Sequence, residues 1–103
     1  MAYSLDYSDE ARGHLHAILS ARFEATSSYQ AVDDWLSHFE DSIGVLGTFP
    51  RYGRKSDNAR LDSMGYRKLT VGSYVVFYTV DDCMERVRLE GIFHHRQDYE
   101  GRI

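Results

Sequence analysis

The sequence predicts an α+β domain of element order β-α-α-β-β-β, an antiparallel sheet with a two-helix hairpin packed on one face. Three observations predict it. Apolar residues recur at helical spacing twice between Ser8 and Gly47. Gly72-Ser73 lies between two runs rich in Val, Tyr, Phe and Thr, which suit a pleated, half-buried surface. Glycine there supplies the positive φ that a tight hairpin turn needs. A further alternating run lies near Val87–His94.

Each element follows from its residues. Tyr3-Ser4-Leu5-Asp6-Tyr7 alternates and reads as a short first strand. Ser8 is a good N-cap, and Asp9 and Glu10 follow where the helix dipole favours acids. Ala11, Leu15, Ile18, Leu19 and Phe23 then define one buried face. Thr26-Ser27-Ser28 breaks this helix, and Ser27 with Gln30 fits a capping box for the next. Val32, Trp35, Leu36, Phe39, Ile43 and Leu46 make the second apolar stripe, with Trp35 expected in the core. Gly47 is placed to end that helix, and Pro50 prevents its resumption. Residues 51–64 have no clear period and read as a loop long enough to be functional.

The hairpin strands lie near Tyr66–Val71 and Tyr74–Val80. In the second, Tyr74, Val76 and Tyr78 point one way, Val75 and Phe77 the other. Both faces are apolar, so this strand is expected at the centre of the sheet. Asp81 to Glu85 is a polar turn. In the last strand, Val87, Leu89 and Phe93 fall on one face, and Arg88, Glu90, Ile92 and His94 on the other.

A chain of 103 residues is one domain, residues 1–103, with a single modest core. No apolar run approaches a membrane span and no leader-like segment opens the chain, so a cytoplasmic protein without membrane contact is expected. The one cysteine, Cys83, has no cysteine partner for a disulfide or a metal site. His14, His16 and His38 lie on helices and show no ligand spacing, so no metal and no cofactor is expected. The net charge of −4 is unevenly spread. Residues 1–47 hold eight acids against two arginines, whereas residues 48–68 hold six basic residues against two acids. Those six are Arg51, Arg54, Lys55, Arg60, Arg67 and Lys68. Such a patch can attract phosphate or an acidic partner even on an anionic molecule, or it can be an ordinary solvated loop.

Three segments, in matching order, carry a resemblance to a known family. They are Leu46-Gly47-Thr48-Phe49-Pro50, the hairpin Tyr66-Arg67-Lys68-Leu69 with Val71-Gly72-Ser73-Tyr74 and Phe77-Tyr78, and the terminal Ile92-Phe93-His94-His95-Arg96-Gln97-Asp98-Tyr99. Together they resemble the RelE/ParE superfamily of type II toxin–antitoxin toxins over nearly the whole chain. The resemblance implies a RelE/ParE-like fold and a growth-arresting toxin neutralised by a cognate antitoxin protein. It also implies one of two targets. RelE-like members cut messenger RNA on the ribosome without a metal, and ParE-like members poison DNA gyrase. A non-toxic peptide-binding relic is the remaining alternative.

RNA cleavage through the 2′-hydroxyl needs an acid, a base and cations for the phosphate. Arg67 offers a fixed fork of donors, His94 or His95 an acid or base, and Tyr99 a ring to stack on a base. Arg96 offers a second phosphate contact, beside Arg51, Arg54, Lys55, Arg60 and Lys68 as binding candidates. Each also has a structural reading: Arg67 packed at the sheet edge and paired with an acid such as Asp98, His94 packed beside Ile92, Tyr99 one of eight tyrosines. Three features favour the gyrase branch. The spacing from Arg67 to Tyr74 is one residue longer than in the RelE-like hairpin, the computed pI is about 5.6, and lysine is scarce. If Tyr74 sets the register, Lys68 takes the place of Arg67, and the two face opposite ways.

Overall fold

A computed structural model describes residues 2–97. The elements are β1 (Ser4–Tyr7), α1 (Asp9–Thr26), α2 (Tyr29–Thr48), β2 (Arg54–Lys55), α3 (Ala59–Ser63), β3 (Arg67–Val71), β4 (Tyr74–Asp81) and β5 (Arg86–His94). The strands form one sheet in the order β1-β5-β4-β3-β2. The α+β architecture, the helical hairpin and the central place of β4 are as the sequence predicts.

The sheet is mixed rather than wholly antiparallel. β1 pairs parallel with β5, Leu5 opposite Val87 and Tyr7 opposite Leu89. Parallel neighbours cannot share a tight turn. Here everything from Ser8 to Glu85 forms the crossover, and α1 and α2 cover one face on the way. Gly47 does not end α2, which continues to Thr48 with Phe49 as its cap. Gly47 instead lets β1 approach. Tyr3 N–H donates to the Gly47 carbonyl at 2.7 Å, and a Cβ on Gly47 would lie 3.2 Å from the Tyr3 carbonyl oxygen.

The caps are side-chain acceptors. Ser8 Oγ accepts from Ala11 N–H at 3.1 Å, and the same oxygen donates to the Glu90 carbonyl, tying the start of α1 to β5. The cap of α2 is Ser28, one residue later than expected, accepting from Ala31 N–H at 3.1 Å. Ser27 instead closes α1 in the left-handed region, with φ 51°. Segment 51–64 is more ordered than its sequence suggests. β2 adds an edge strand to β3, Arg54 opposite Lys68 and Lys55 opposite Arg67. Asn58 caps the single turn of α3 by accepting from Leu61 N–H at 3.1 Å. One turn holds too few apolar residues for a period to show.

Two apolar layers flank the sheet. Ala11, Phe39, Ile43 and Leu46 pack onto Val71, Val76, Tyr78, Val87, Leu89 and Ile92. On the opposite face Leu61 covers Val75, Phe77 and Phe93. Phe93 and Ile92 therefore exchange the faces predicted for them. A bulge is the cause: Phe77 pairs with Gly91 and Tyr78 with Leu89, so Glu90 is an extra residue that reverses the alternation beyond it. Leu19 and Phe23 also leave the predicted core face. They line a groove between α1 and α2, where the Phe23 ring stacks on Tyr29 at 4.6 Å. Trp35 is half-buried, stacked on Phe39 at 5.2 Å and edge-on to Tyr74 at 5.5 Å.

Candidate functional site

Candidate residues occupy both ends of the sheet. Arg67 opens β3 opposite Tyr78. Its Nε donates to the Gly53 carbonyl at 3.1 Å, and its Nη2 donates to the carbonyls of Gly53 and Arg51 at 2.9 and 3.1 Å. Gly53 N–H donates in turn to Tyr78 Oη at 2.8 Å. A Cβ on Gly53 would fall 2.5 Å from that oxygen and 2.6 Å from the Lys68 carbonyl oxygen, so only glycine admits this approach. The guanidinium thus holds residues 51–53 against the sheet edge. Asp98, the partner expected for it, lies outside the described residues, as does Tyr99.

Lys68 points to the opposite face. It is buried, with Nζ 3.6 Å from the Asp57 carboxylate. Arg51 Nη2 sits 2.5 Å from one Asp82 oxygen, and Tyr3 Oη donates to the other at 2.7 Å. Hydrogen bonds from Arg51 and then Tyr3 hold the Asp82 carboxyl below its ordinary range. The same Asp82 contact pushes the Tyr3 phenol up and makes the Arg51 guanidinium still harder to deprotonate. Arg60 is exposed, with Nη1 4.0 Å from Met64 Sδ. Arg54 and Lys55 are exposed on β2 and have no ion-pair partner among the described residues.

At the other end, His94 pairs with Tyr74 and stands edge-on to its ring at 5.5 Å. His94 Nδ1 accepts from Arg96 N–H at 3.2 Å, which requires the neutral ring to carry its proton on Nε2. His95 stacks on His94 at 4.6 Å, and its Nδ1 lies 2.9 Å from the Ser73 carbonyl, which requires a proton on that nitrogen. Arg96 is exposed beside both. His14, Ala17, Tyr74, Ile92, His94 and Gln97 line a cleft of about 290 Å³ here. His14 and Gln97 are residues that sequence reasoning did not single out for a site. The stripe His14, Ala17, Ile18, Ala21 at helical spacing carried the signal, because its two alanines leave room beside β5.

The structure stacks His94 on His95, with Arg96 next to them in the chain. It does not bring Arg67 to them. Arg67 is four rungs of the β3–β4 ladder from the Tyr74–His94 pair, about 13 Å along the strands at ~3.3 Å per residue. Among the described residues, no group of three or more His, Cys, Asp or Glu is arranged to hold a metal ion.

A family model described as the ParE toxin of the type II toxin–antitoxin system parDE matches residues 5–99. The chain belongs to the ParE toxin family. It is 32% identical over 95 residues to Toxin ParE1 of Mycobacterium tuberculosis, covering 90% of each chain. The fold of this ParE-family chain also resembles the chromosomal ParDE system of P. aeruginosa, at 16% identity and a TM-score of 0.70, covering 90% of this chain and 96% of that one. Likewise it resembles the RelBE2 toxin–antitoxin complex of Mycobacterium tuberculosis, at 20% identity and a TM-score of 0.63, covering 91% of this chain and 99% of that one. This chain is thus a type II toxin by family, and its α+β fold is that of RelE and ParE proteins. None of its helices in the described residues is long and apolar enough to cross a membrane.

Proposed function

We propose that this ParE-family toxin arrests growth in the cytoplasm by engaging DNA gyrase rather than by cutting messenger RNA, and that a cognate antitoxin neutralises it. One observation carries the choice of target. The Arg67 guanidinium holds main-chain carbonyls at one end of the sheet while His94 and His95 stand at the other. A phosphate cannot meet that arginine and those imidazoles in one site, which leaves Arg96, next to them in the chain, as the cation nearest to them for the charge neutralisation that general acid–base cleavage requires. The net charge of −4 also opposes entry into an RNA-lined site.

The antitoxin reading rests on the helical hairpin. Leu15, Leu19, Phe23, Val32 and Leu36 line two adjoining open clefts along α1 and α2, bordered by Glu24 and Glu40 and also by Arg12 and His16. An amphipathic helix with Lys or Arg on its flanks fits this surface.

Induction of the toxin in cells separates the possibilities. Gyrase poisoning induces the DNA-damage response and leaves messages intact by primer extension. Cuts in translated messages that vanish in His94→Ala or His95→Ala would overturn the gyrase reading in favour of a ribosomal ribonuclease. Normal growth with neither signal would make the chain a non-toxic binding module.

A further inference from the structure

We propose that the loop from Phe49 to Tyr52 together with β2 is the face on which the toxin docks an extended, acidic segment of its target protein. This rests on the proposal that the chain is a toxin acting on a protein, and it names the contact surface.

Two aromatic rings are left in water here: Phe49 is 61% exposed and Tyr52 is 65% exposed. They belong to one tight turn, with Tyr52 N–H donating to the Phe49 carbonyl at 3.0 Å, and both line a cleft with Pro50. The turn is held from several sides. Arg67 holds the Arg51 and Gly53 carbonyls, Tyr78 Oη holds Gly53 N–H, and Asp82 holds the Arg51 side chain. The rings are therefore presented on a rigid frame. Rigid aromatic anchors lose little freedom on binding and dominate interface energetics.

The neighbouring chemistry selects the occupant. β2 is an edge strand, and an edge offers unpaired main-chain donors and acceptors to an incoming strand. Its Arg54 and Lys55 project to opposite faces of that edge, and neither is neutralised within the described residues. An incoming strand with acids on both sides meets one cation on each. Nucleic acid fits less well. Asp82, Asp57 and main-chain carbonyls already occupy Arg51, Lys68 and Arg67, so few cations remain for phosphates on an anionic molecule.

The test uses the full chain and two paired variants, Phe49→Ser with Tyr52→Ser, and Arg54→Glu with Lys55→Glu. Five readouts apply: thermal melting, affinity for the purified antitoxin, affinity for purified gyrase subunits, binding of a fluorescent single-stranded oligonucleotide, and growth arrest on induction. Expected are parental melting and antitoxin affinity, at least a tenfold loss of gyrase affinity in each pair, and loss of growth arrest. Parental gyrase affinity and growth arrest in both pairs would overturn the docking face. So would loss of antitoxin binding instead, which would make this the antitoxin's surface. So would parental binding of a fluorescent single-stranded oligonucleotide at 150 mM salt that the charge pair abolishes. If the parent toxin arrests growth without binding gyrase and both pairs lose that arrest, the gyrase reading fails and the docking face stands. A parent that arrests no cells ends both.

Discussion

The two ends of the sheet use basic side chains in opposite ways. At the β3 start, Arg67 turns inward and three of its donor contacts go to the carbonyls of Arg51 and Gly53. At the β5 end, His94 and His95 stand beside an open cleft with Arg96 exposed next to them. Residue type alone marked all four as candidates for phosphate chemistry. Their surroundings divide them: a cation whose donors are taken up by main-chain oxygens holds a loop, and an imbalance of donors over partners is what leaves a cation ready for a ligand. A basic patch in sequence is therefore a list of candidates that only hydrogen-bond partners can sort.

The contrast can be broken most forcefully in the core shared by both ends. Trp35→Ala removes a ring that touches Phe39 and Tyr74 and lies under the Arg22 guanidinium, 5.0 Å from the ring centre. A loss of about 2–4 kcal/mol is expected in urea unfolding, toward the low side of large-to-small aromatic changes because the ring is half-buried. An unchanged midpoint would place Trp35 outside the cooperative core.

Gly53→Ala tests the locked end directly. The added methyl meets Tyr78 Oη and a main-chain oxygen, so destabilisation of roughly 1–3 kcal/mol is expected, measured by the same unfolding curves. Arg67→Ala should cost about 1.5–3 kcal/mol, in line with hydrogen bonds from a charged donor, and Arg67→Lys should recover only part of it because one ammonium cannot span both carbonyls. Growth arrest by Arg67→Ala should fall beyond its folded fraction, because the turn that carries Phe49 and Tyr52 loses the hold on the Arg51 and Gly53 carbonyls. A well-folded Arg67→Ala protein with parental growth arrest would mean that the hold of Arg67 on this turn does not serve target contact. By comparison, His94→Ala and His95→Ala should lower the unfolding free energy by less than about 1 kcal/mol, since both rings sit at a partly solvated end.

Asp82→Asn is the smallest expected effect and sharpens the picture of how Arg51 is held. The folded carboxyl is held below its ordinary value by hydrogen bonds from Arg51 and Tyr3. Its contribution is therefore present at pH values above the unfolded carboxylate range, near 3.9, and is lost as pH falls through the lower folded value. The asparagine variant should be slightly less stable at neutral pH and show a shallower acid limb in a melting-temperature series. Identical curves for the two proteins would mean that this exposed ion pair holds nothing.

The sequence determined the element order by itself because period and punctuation are local. Ser8 and the helical stripes, the Gly72-Ser73 turn and the two-sided apolar run of β4 each announce their element without reference to distant residues, and the family resemblance follows from their order. The tertiary structure decided what depends on partners far along the chain. The parallel placement of β1 beside β5 joins residues some eighty positions apart, and the reversed faces of Ile92 and Phe93 need the extra residue Glu90 opposite the Phe77–Tyr78 step. Nothing near Arg67 in sequence shows that its donors end on Gly53, fourteen positions upstream. A side chain's role is set by which acceptors fold against it, and chain connectivity fixes those only once the sheet has closed.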